Sequence, residues 1–570
     1  MIKGDIVLNS TASGDGNSLS VTSNISDTSL SAVDGNLKAG DNTTVSFSGN
    51  KVTFSGDASF GEGSSLTLNG DNGLATQGAM SFGNTAKVNI NNVITDWTQN
   101  SYDLLNAGNG VNGLTADNIS VTSPLLVEGA KDYTHATLGA DKLSYGLAWN
   151  TQDGSAHGEF ALRDGATLTL HTVLADNTGT THTSGWDGKS LTKSGGGELI
   201  LATQNTYTGT TTINGGTLKT ATDDAIAGTS GVNIAENGTL NLNGHNQTLT
   251  DIVNSGTLLI NDTGATPLTT PVTVTGDMTL RQSGLVVINN GNSNAGQTLK
   301  VEGDWKGEGG TVSLGVVLGD DGSKADQLNI AGHASGSTSV LVANENGSGA
   351  QTLEGIKLIS SGSSDNNAFV QKGRIVAGSY DYHLQQGSAS GQNTSNWYLT
   401  SYLPNPPQPD PVDPVNPVNP VQPGNNTRIW RPEAGSYTAN LMAANTMFSN
   451  TLEDRHGSVV TDPVTGQRYE TTLWARAVGG HNSFRMTDAQ SRTQANRMVY
   501  QMGGEMLTLS FAGDDGLHLG LMGAYGHQNS KTINSVTGYS SRGTVSGYAA
   551  GLYGTWYSEP PRVSWRVFYL

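Results

Sequence analysis

The sequence predicts an all-β chain: a right-handed parallel β-helix, then a proline-rich spacer, one helix and a partial antiparallel β-barrel. Three observations carry this. Strand-and-turn phrases recur about every twenty residues, prolines then repeat at every third position, and alternating apolar strands follow. In a chain of 570 residues, Gly 76 with 14% charged and 6% aromatic residues suits many short strands punctuated by tight turns. One compact core does not serve a chain this long, so a repeat architecture is favoured over a globular enzyme.

The stretch Leu191 to Leu218 reads as one rung. Leu199 and Leu201 alternate with small or polar neighbours, and Ile213 and Leu218 flank the Gly215-Gly216 turn, so each short strand has one buried face. Gly-Thr-Leu recurs at Gly216, Gly238 and Gly256, followed by Gly276-Asp-Met-Thr-Leu280, with earlier phrases at Val45 to Gly49, Val52 to Gly56 and Ser65 to Gly70. Such a period is one turn of a β-helix, whose rungs bury their inward side chains on the rungs above and below; roughly fifteen rungs fit in residues 1–300, a rod whose ends need caps. Residues 301–402 carry denser apolar phrases, with aromatics gathered at Tyr380, Tyr382, Trp397 and Tyr398, and read as the cap.

Prolines 411, 414, 417, 420 and 423 mark residues 403–427 as a polyproline spacer, in which the twenty residues from Pro404 to Pro423 span roughly 60 Å. Within 428–457, Pro432 and Glu433 suit a helix start. Tyr437, Leu441, Ala444, Phe448 and Leu452 fall at helical spacing, and Arg455 with Gly457 suits the end. About 23 residues give roughly 34 Å, a membrane length. Asn440, Asn445, Thr446, Asn450 and Thr451 make that helix too polar for lipid, which fits the inside of a pore. Residues 458–570 then alternate: Leu517, Leu519, Leu521 and Tyr525 take one face, while His518, Gly520, Met522, Ala524 and Gly526 take the other. Tyr548, Leu552 and Trp556 repeat the pattern, and Gly513-Asp-Asp-Gly516 supplies a tight turn. Apolar-out and small-or-polar-in is the pattern of an outer-membrane barrel.

Leu191 to Leu218 resembles the passenger-associated repeat of autotransporters, the type V secretion proteins. Gly315 to Gly319, Ala325 to Ile330 and Asn396-Trp-Tyr-Leu399 resemble the passenger segment that seeds folding in that family. Arg428 through Tyr557 resembles the start of a translocator of the AIDA, antigen 43 and pertactin-like adhesin group. The resemblance implies a β-helix passenger displayed at the cell surface for adhesion, autoaggregation or biofilm formation. It also implies an outer-membrane barrel inserted by the barrel-assembly machinery, with self-association or host and abiotic surfaces as partners. A polysaccharide-binding or polysaccharide-cleaving β-helix is the alternative. It predicts aromatic shelves or a carboxylate pair, whereas Trp97, Trp149, Trp186 and Tyr207 read as scattered. The N-terminal residues show no apolar export signal. About four strands precede Ser558 to Leu570, where Pro560-Pro561 halts a strand, so the expectation is an internal fragment with an interrupted barrel that cannot export itself.

No catalytic, cofactor-binding or metal residue is assigned. The net charge of -19, with no basic stripe, excludes nucleic acid as a partner, and the absence of cysteine excludes disulfides and thiolate sites. Gly319-Asp-Asp-Gly-Ser323 has aspartate where serine-protease autotransporters carry their nucleophile, and Ser323 has no recognisable histidine partner. The eleven histidines read as surface side chains, His171 and His182 being too far apart for a metal clip. Gly195-Gly-Gly197 lacks the aspartates of calcium-binding repeats, and Asp320, Asp321 and Asp326 read as solvated loop carboxylates rather than a calcium site. Asn425-Asn426 lies ahead of the helix, so self-cleavage within the helix is not expected.

Overall fold

The computed structural model describes residues 2–10, 17–22, 31–49, 51–179, 185–262, 265, 268–289, 295–402, 429–455, 457, 459–486, 490–510 and 516–557. Contacts divide them into two compact units: residues up to Ser348 with 352–375 and 383–400, and residues 349–351 and 376–382 with those from Ser401 onward.

In the first unit strands stack in parallel, rung on rung. Three sheets run through the N-terminal rungs. One of them orders β1 (Ser18–Thr22), β2 (Thr44–Ser48), β3 (Ser65–Asn69), β4 (Lys87–Asn91) and β5 (Ile119–Thr122) side by side. Alternation explains it: Val45, Phe47, Leu66, Leu68, Val88 and Ile90 are buried, and the Ser, Thr and Asn between them face outward. Equivalent side chains meet across rungs, as Phe60 and Phe82 do with ring centroids 4.7 Å apart.

Where a rung turns a corner, backbone amides leave the strand ladder. Side chains of the preceding rung accept them. Asn36 N donates to Asp5 Oδ1 at 2.9 Å, Asp57 N to Asn36 Oδ1 at 2.8 Å and Ala79 N to Asp57 Oδ1 at 2.8 Å, successive contacts spanning 31, 21 and 22 residues. At the next corner Glu62 N donates to Asp41 Oδ1 (2.9 Å), and Asn84 N and Thr85 N to the Glu62 carboxylate (3.0 and 2.9 Å). Later rungs repeat the device with Asp304 N on Asp277 and His333 N on Asp304, each 2.7 Å. A glycine precedes the aspartate because the ladder leaves no room beside it: a Cβ on Gly56 would lie 2.1 Å from Asn36 Oδ1.

After β4 the rung lengthens. Thr134–Leu138 and Lys142–Leu147 form an antiparallel hairpin paired to Ser101–Ala107, an element the repeat pattern did not predict. Its base is a polar network in which Asp132 accepts Ser123 Oγ and Thr134 Oγ1, each at 2.6 Å, and Tyr145 Oη donates to Thr134 Oγ1 at 3.0 Å.

Beyond the hairpin a single column of inward leucines, Leu168, Leu199, Leu218, Leu240 and Leu258, continues in register to Val286. The Gly276 phrase is not the next rung of that column. Met278 pairs with Ile252 instead, so the strand opened by this phrase belongs to the neighbouring column. Lys193 points inward and its Nζ donates to the carbonyls of Ser194 (2.8 Å), Gly195 (2.8 Å) and Gly215 (3.1 Å), tying two turns together. Toward the end of the unit, Trp305–Val316 and Gln327–Asn344 are long parallel strands. Trp397–Thr400 then pairs antiparallel with both Ile356–Ser364 and His383–Gln386, which ends the parallel stacking.

In the second unit α1 (Glu433–Thr446) lies on an antiparallel sheet of β6 (Leu473–Arg485), β7 (Ser491–Ser510), β8 (Gly516–Asn534) and β9 (Ser540–Tyr557). The helix is shorter than its spacing predicts. Thr451 N and Oγ1 bond to Asp454 Oδ2 (2.8 and 3.0 Å), a local alternative that starts a separate turn at Glu453–Arg455. Its 14 residues span about 21 Å, and no described helix is long and apolar enough to cross a membrane. The buried stripe also differs: Gly435, Ser436, Ala439 and Ala443 face the sheet, while Tyr437 and Leu441 are exposed. The spacer prolines, Asn425-Asn426, Gly513 to Asp515 and the tail from Ser558 lie outside the described residues.

Two predictions follow from the corners. Asp57→Ala costs about 1 kcal/mol in urea unfolding, because it orphans the Ala79 amide, whereas Asp57→Asn, which keeps an acceptor as Asn36 does, is near neutral. Burial pushes the Lys193 ammonium down to about 8 from its ordinary 10.5. Between those values the unfolded chain binds more protons, so the stability linked to Lys193 rises from pH 8 to 10.5 and is lost as pH falls through 8. The stability difference between wild type and Lys193→Met therefore shifts toward wild type on going from pH 8 to 10, measured by denaturant titration at each pH.

Candidate binding face

The outward side of β1–β5 is an ordered array. Ser20, Ser46, Thr67, Asn89 and Ser120 stand in one register column, and Asn69, Asn91 and Thr122 in the next. Neighbouring groups are about 4.8 Å apart across strands and roughly 6.8 Å along them. Hydrogen bonds between rungs fix the side chains: Asn89 Nδ2 to Ser65 Oγ (2.8 Å), Ser120 Oγ to Asn89 Oδ1 (2.7 Å), Asn91 Nδ2 to Asn69 Oδ1 (3.0 Å). Lys87 carries the single charge among the outward positions of these five strands, in a chain of net charge -19. Hydroxyl and amide groups donate and accept hydrogen bonds without titrating, so the array offers many weak polar contacts and no proton chemistry.

The residues weighed for chemistry have structural tasks. The Asp321 carboxylate accepts the amides of Leu353, Glu354 and Gly355, each at 2.9 Å. Asp326 is not a solvated carboxylate: it is buried and accepts the amides of Gly296, Gln297 and Gly315, each at 2.8 Å, while burial raises its pKa. Asp320 caps the same short turn through Gly322 N (3.0 Å), and Ser323 N closes it on the Asp320 carbonyl (3.0 Å). Among the described residues no group of three or more His, Asp or Glu is placed to hold a metal ion.

His171 pairs with Asp96 at 2.8 Å, and His182 lies outside the described residues. His157 departs from the surface reading, being buried with Nε2 against the Asp132 carbonyl (2.8 Å) and its pKa lowered by that burial. Gly195 adopts φ 70°, and a Cβ there would lie 2.1 Å from the Leu162 carbonyl, so the Gly195-Gly-Gly197 run serves close rung stacking. The aromatics are neither scattered nor shelves: Trp149 meets Trp186 at 4.8 Å and Tyr207 at 5.5 Å, and Trp97, Trp149 and Tyr207 are buried.

The second unit inverts the pattern. Met498, Tyr500, Met502, Tyr548, Leu552 and Trp556 are exposed on the outer side of β6–β9. Gly526 and Gly547 lie under Met447 and Phe448, and Gln528 Nε2 donates to the Ala439 carbonyl at 2.9 Å. An apolar exterior with a polar, small-residue interior around a helix is a barrel wall made for lipid.

Family comparisons agree with both units. The Passenger-associated-transport-repeat matches residues 191–219, the Autochaperone Domain Type 1 residues 273–384 and the Autotransporter beta-domain residues 473–569. Together these matches support an AIDA-like autotransporter. It is 39% identical to the uncharacterized protein YuaQ of Escherichia coli K12 over 65% of this chain and 24% of that one. It is 42% identical to the uncharacterized protein YdeU of the same strain over 46% and 56%, and 36% identical to the autotransporter adhesin AIDA-I of Escherichia coli over 46% and 19%. The chain thus spans about a quarter and about half of the first two relatives. Autotransporters of this kind are displayed at the outer membrane and cell surface.

The β-domain match runs to residue 569 and so takes in Ser558 to Tyr569. A VirG insertion domain matches residues 87–148 and covers the unpredicted hairpin. Its strands break the rung period, and only their antiparallel partners would have revealed them. The outward array was legible as Ser, Thr and Asn at every second position.

Substitution separates scaffold from face. Leu66→Ala costs about 2–5 kcal/mol by leaving a cavity between rungs, whereas Thr67→Ala changes stability by less than about 0.5 kcal/mol, both read from denaturant midpoints.

Proposed function

We propose that the chain is an adhesin-like passenger with part of its translocator, working by contact rather than catalysis. Its role is attachment to cells or surfaces, autoaggregation or biofilm growth. The observation that carries this is the nearly uncharged array on β1–β5: an acidic molecule meets a neighbour or a surface at lowest electrostatic cost where it carries no like charge. Repetition of weak polar contacts then gives avidity. Nucleic acid is not a partner, and β6–β9 would be inserted by the barrel-assembly machinery. Burial of Trp97, Trp149 and Tyr207 favours polar contact over stacking on sugars, the mode a polysaccharide-binding or polysaccharide-cleaving passenger would use.

Beads coated with the chain test the reading. Wild-type beads are expected to clump or to adhere to cells, and Ser46→Asp with Asn89→Asp, on alternate rungs of one column, is expected to reduce this by roughly fivefold or more. Equal clumping and adhesion by the variant would count against the array as the contact face.

A further inference from the structure

The proline-rich segment reads as a spacer, yet its two flanks meet. Ile429 N donates to the Ser401 carbonyl at 3.1 Å. A segment of this length as extended polyproline would reach roughly 60 Å or more. The residues that flank 403–428 therefore lie side by side.

The returning strand is held from two sides within the second unit. On one side, Arg431 N donates to the Ser379 carbonyl (3.1 Å), Asp381 N to the Ile429 carbonyl (3.4 Å) and Arg431 Nη1 to the Gly378 carbonyl (2.9 Å). Tyr380 bridges Trp430 antiparallel, their rings tilted by 31° with centroids 5.3 Å apart, and Ile429 is fully buried. On the other side, Asn534 Nδ2, at the end of β8, donates to the Trp430 carbonyl at 2.8 Å, and Gln490 Oε1, just ahead of β7, accepts Trp430 N at 3.4 Å. The segment matched as autochaperone extends through residue 384 and so includes Gly378 to Asp381.

We infer that Gly378–Asp381 with Ser401 is a docking surface whose occupant is Ile429–Arg431, an intramolecular latch at the strand ends of the barrel sheet. It holds Gly378–Asp381 and Ser401 to the helix and sheet of the same unit without need of the covalent connection through 403–428. With Ser401 and Ile429 held side by side, the length of the chain that joins them is free to vary.

The test uses the full chain in detergent, with a site-specific protease sequence replacing residues 414–420. After cutting, the two pieces are expected to co-elute in size exclusion. Trp430→Ala with Arg431→Ala shortens the lifetime of the cut complex roughly tenfold, and Trp430→Phe, which keeps a ring on Tyr380, restores it. Prompt separation of the cut wild type would overturn the latch, as would equal retention by the double variant. Deleting residues 404–423 leaves ends close enough for a short loop, so the uncut chain keeps its thermal midpoint. A lowered midpoint would mean that the segment does span a distance.

Discussion

Every rung of a parallel β-helix leaves its strands at a corner, and the amides exposed there have no partner in the strand ladder. The rest of the passenger depends on how they are satisfied. Asp5, Asn36 and Asp57 each accept the amide of the next rung, as do Asp41 and Glu62 at the neighbouring corner, and Asp277 and Asp304 farther along. Because the acceptor sits in one rung and the donor in the next, a bond that completes a turn also sets the register between rungs. Register in turn decides whether Leu199 falls on Leu218 and whether Asn89 falls beside Thr67. Interior packing and the outward array are thus two readings of one alignment.

Much of this was legible from residue order. Alternation and glycine spacing give parallel rungs, and the lipid-facing pattern gives β6–β9, because both depend on a period of two that a single strand displays. What escaped depends on partners distant in sequence. The hairpin around Lys142 pairs antiparallel with Ser101–Ala107 and has no period to announce it. Gly276 has the wording of a rung start, but the strand that follows it pairs with Asp251–Asn254, in another column. Asp326 looks like a loop carboxylate until three amides close on it.

The helix shows a different limit. Spacing of Tyr437, Leu441 and Phe448 suggests an apolar stripe, yet the face against the sheet is Gly435, Ser436, Ala439 and Ala443. A barrel interior reverses the usual rule: its apolar side chains serve the outside, and what packs within must be small enough to approach glycine-rich strands and polar enough to meet Gln528, Thr532 and Ser541. Hydrophobic periodicity reports burial only where the surroundings are water.

The corner ladder has a kinetic side. Its contacts join residues 21 to 31 positions apart, so a rung finds its corner partners as soon as the next short length of chain is present. Each finished rung presents a strand edge with fixed register to the one that follows. The passenger can therefore assemble as a zipper, growing by addition of one rung to the next.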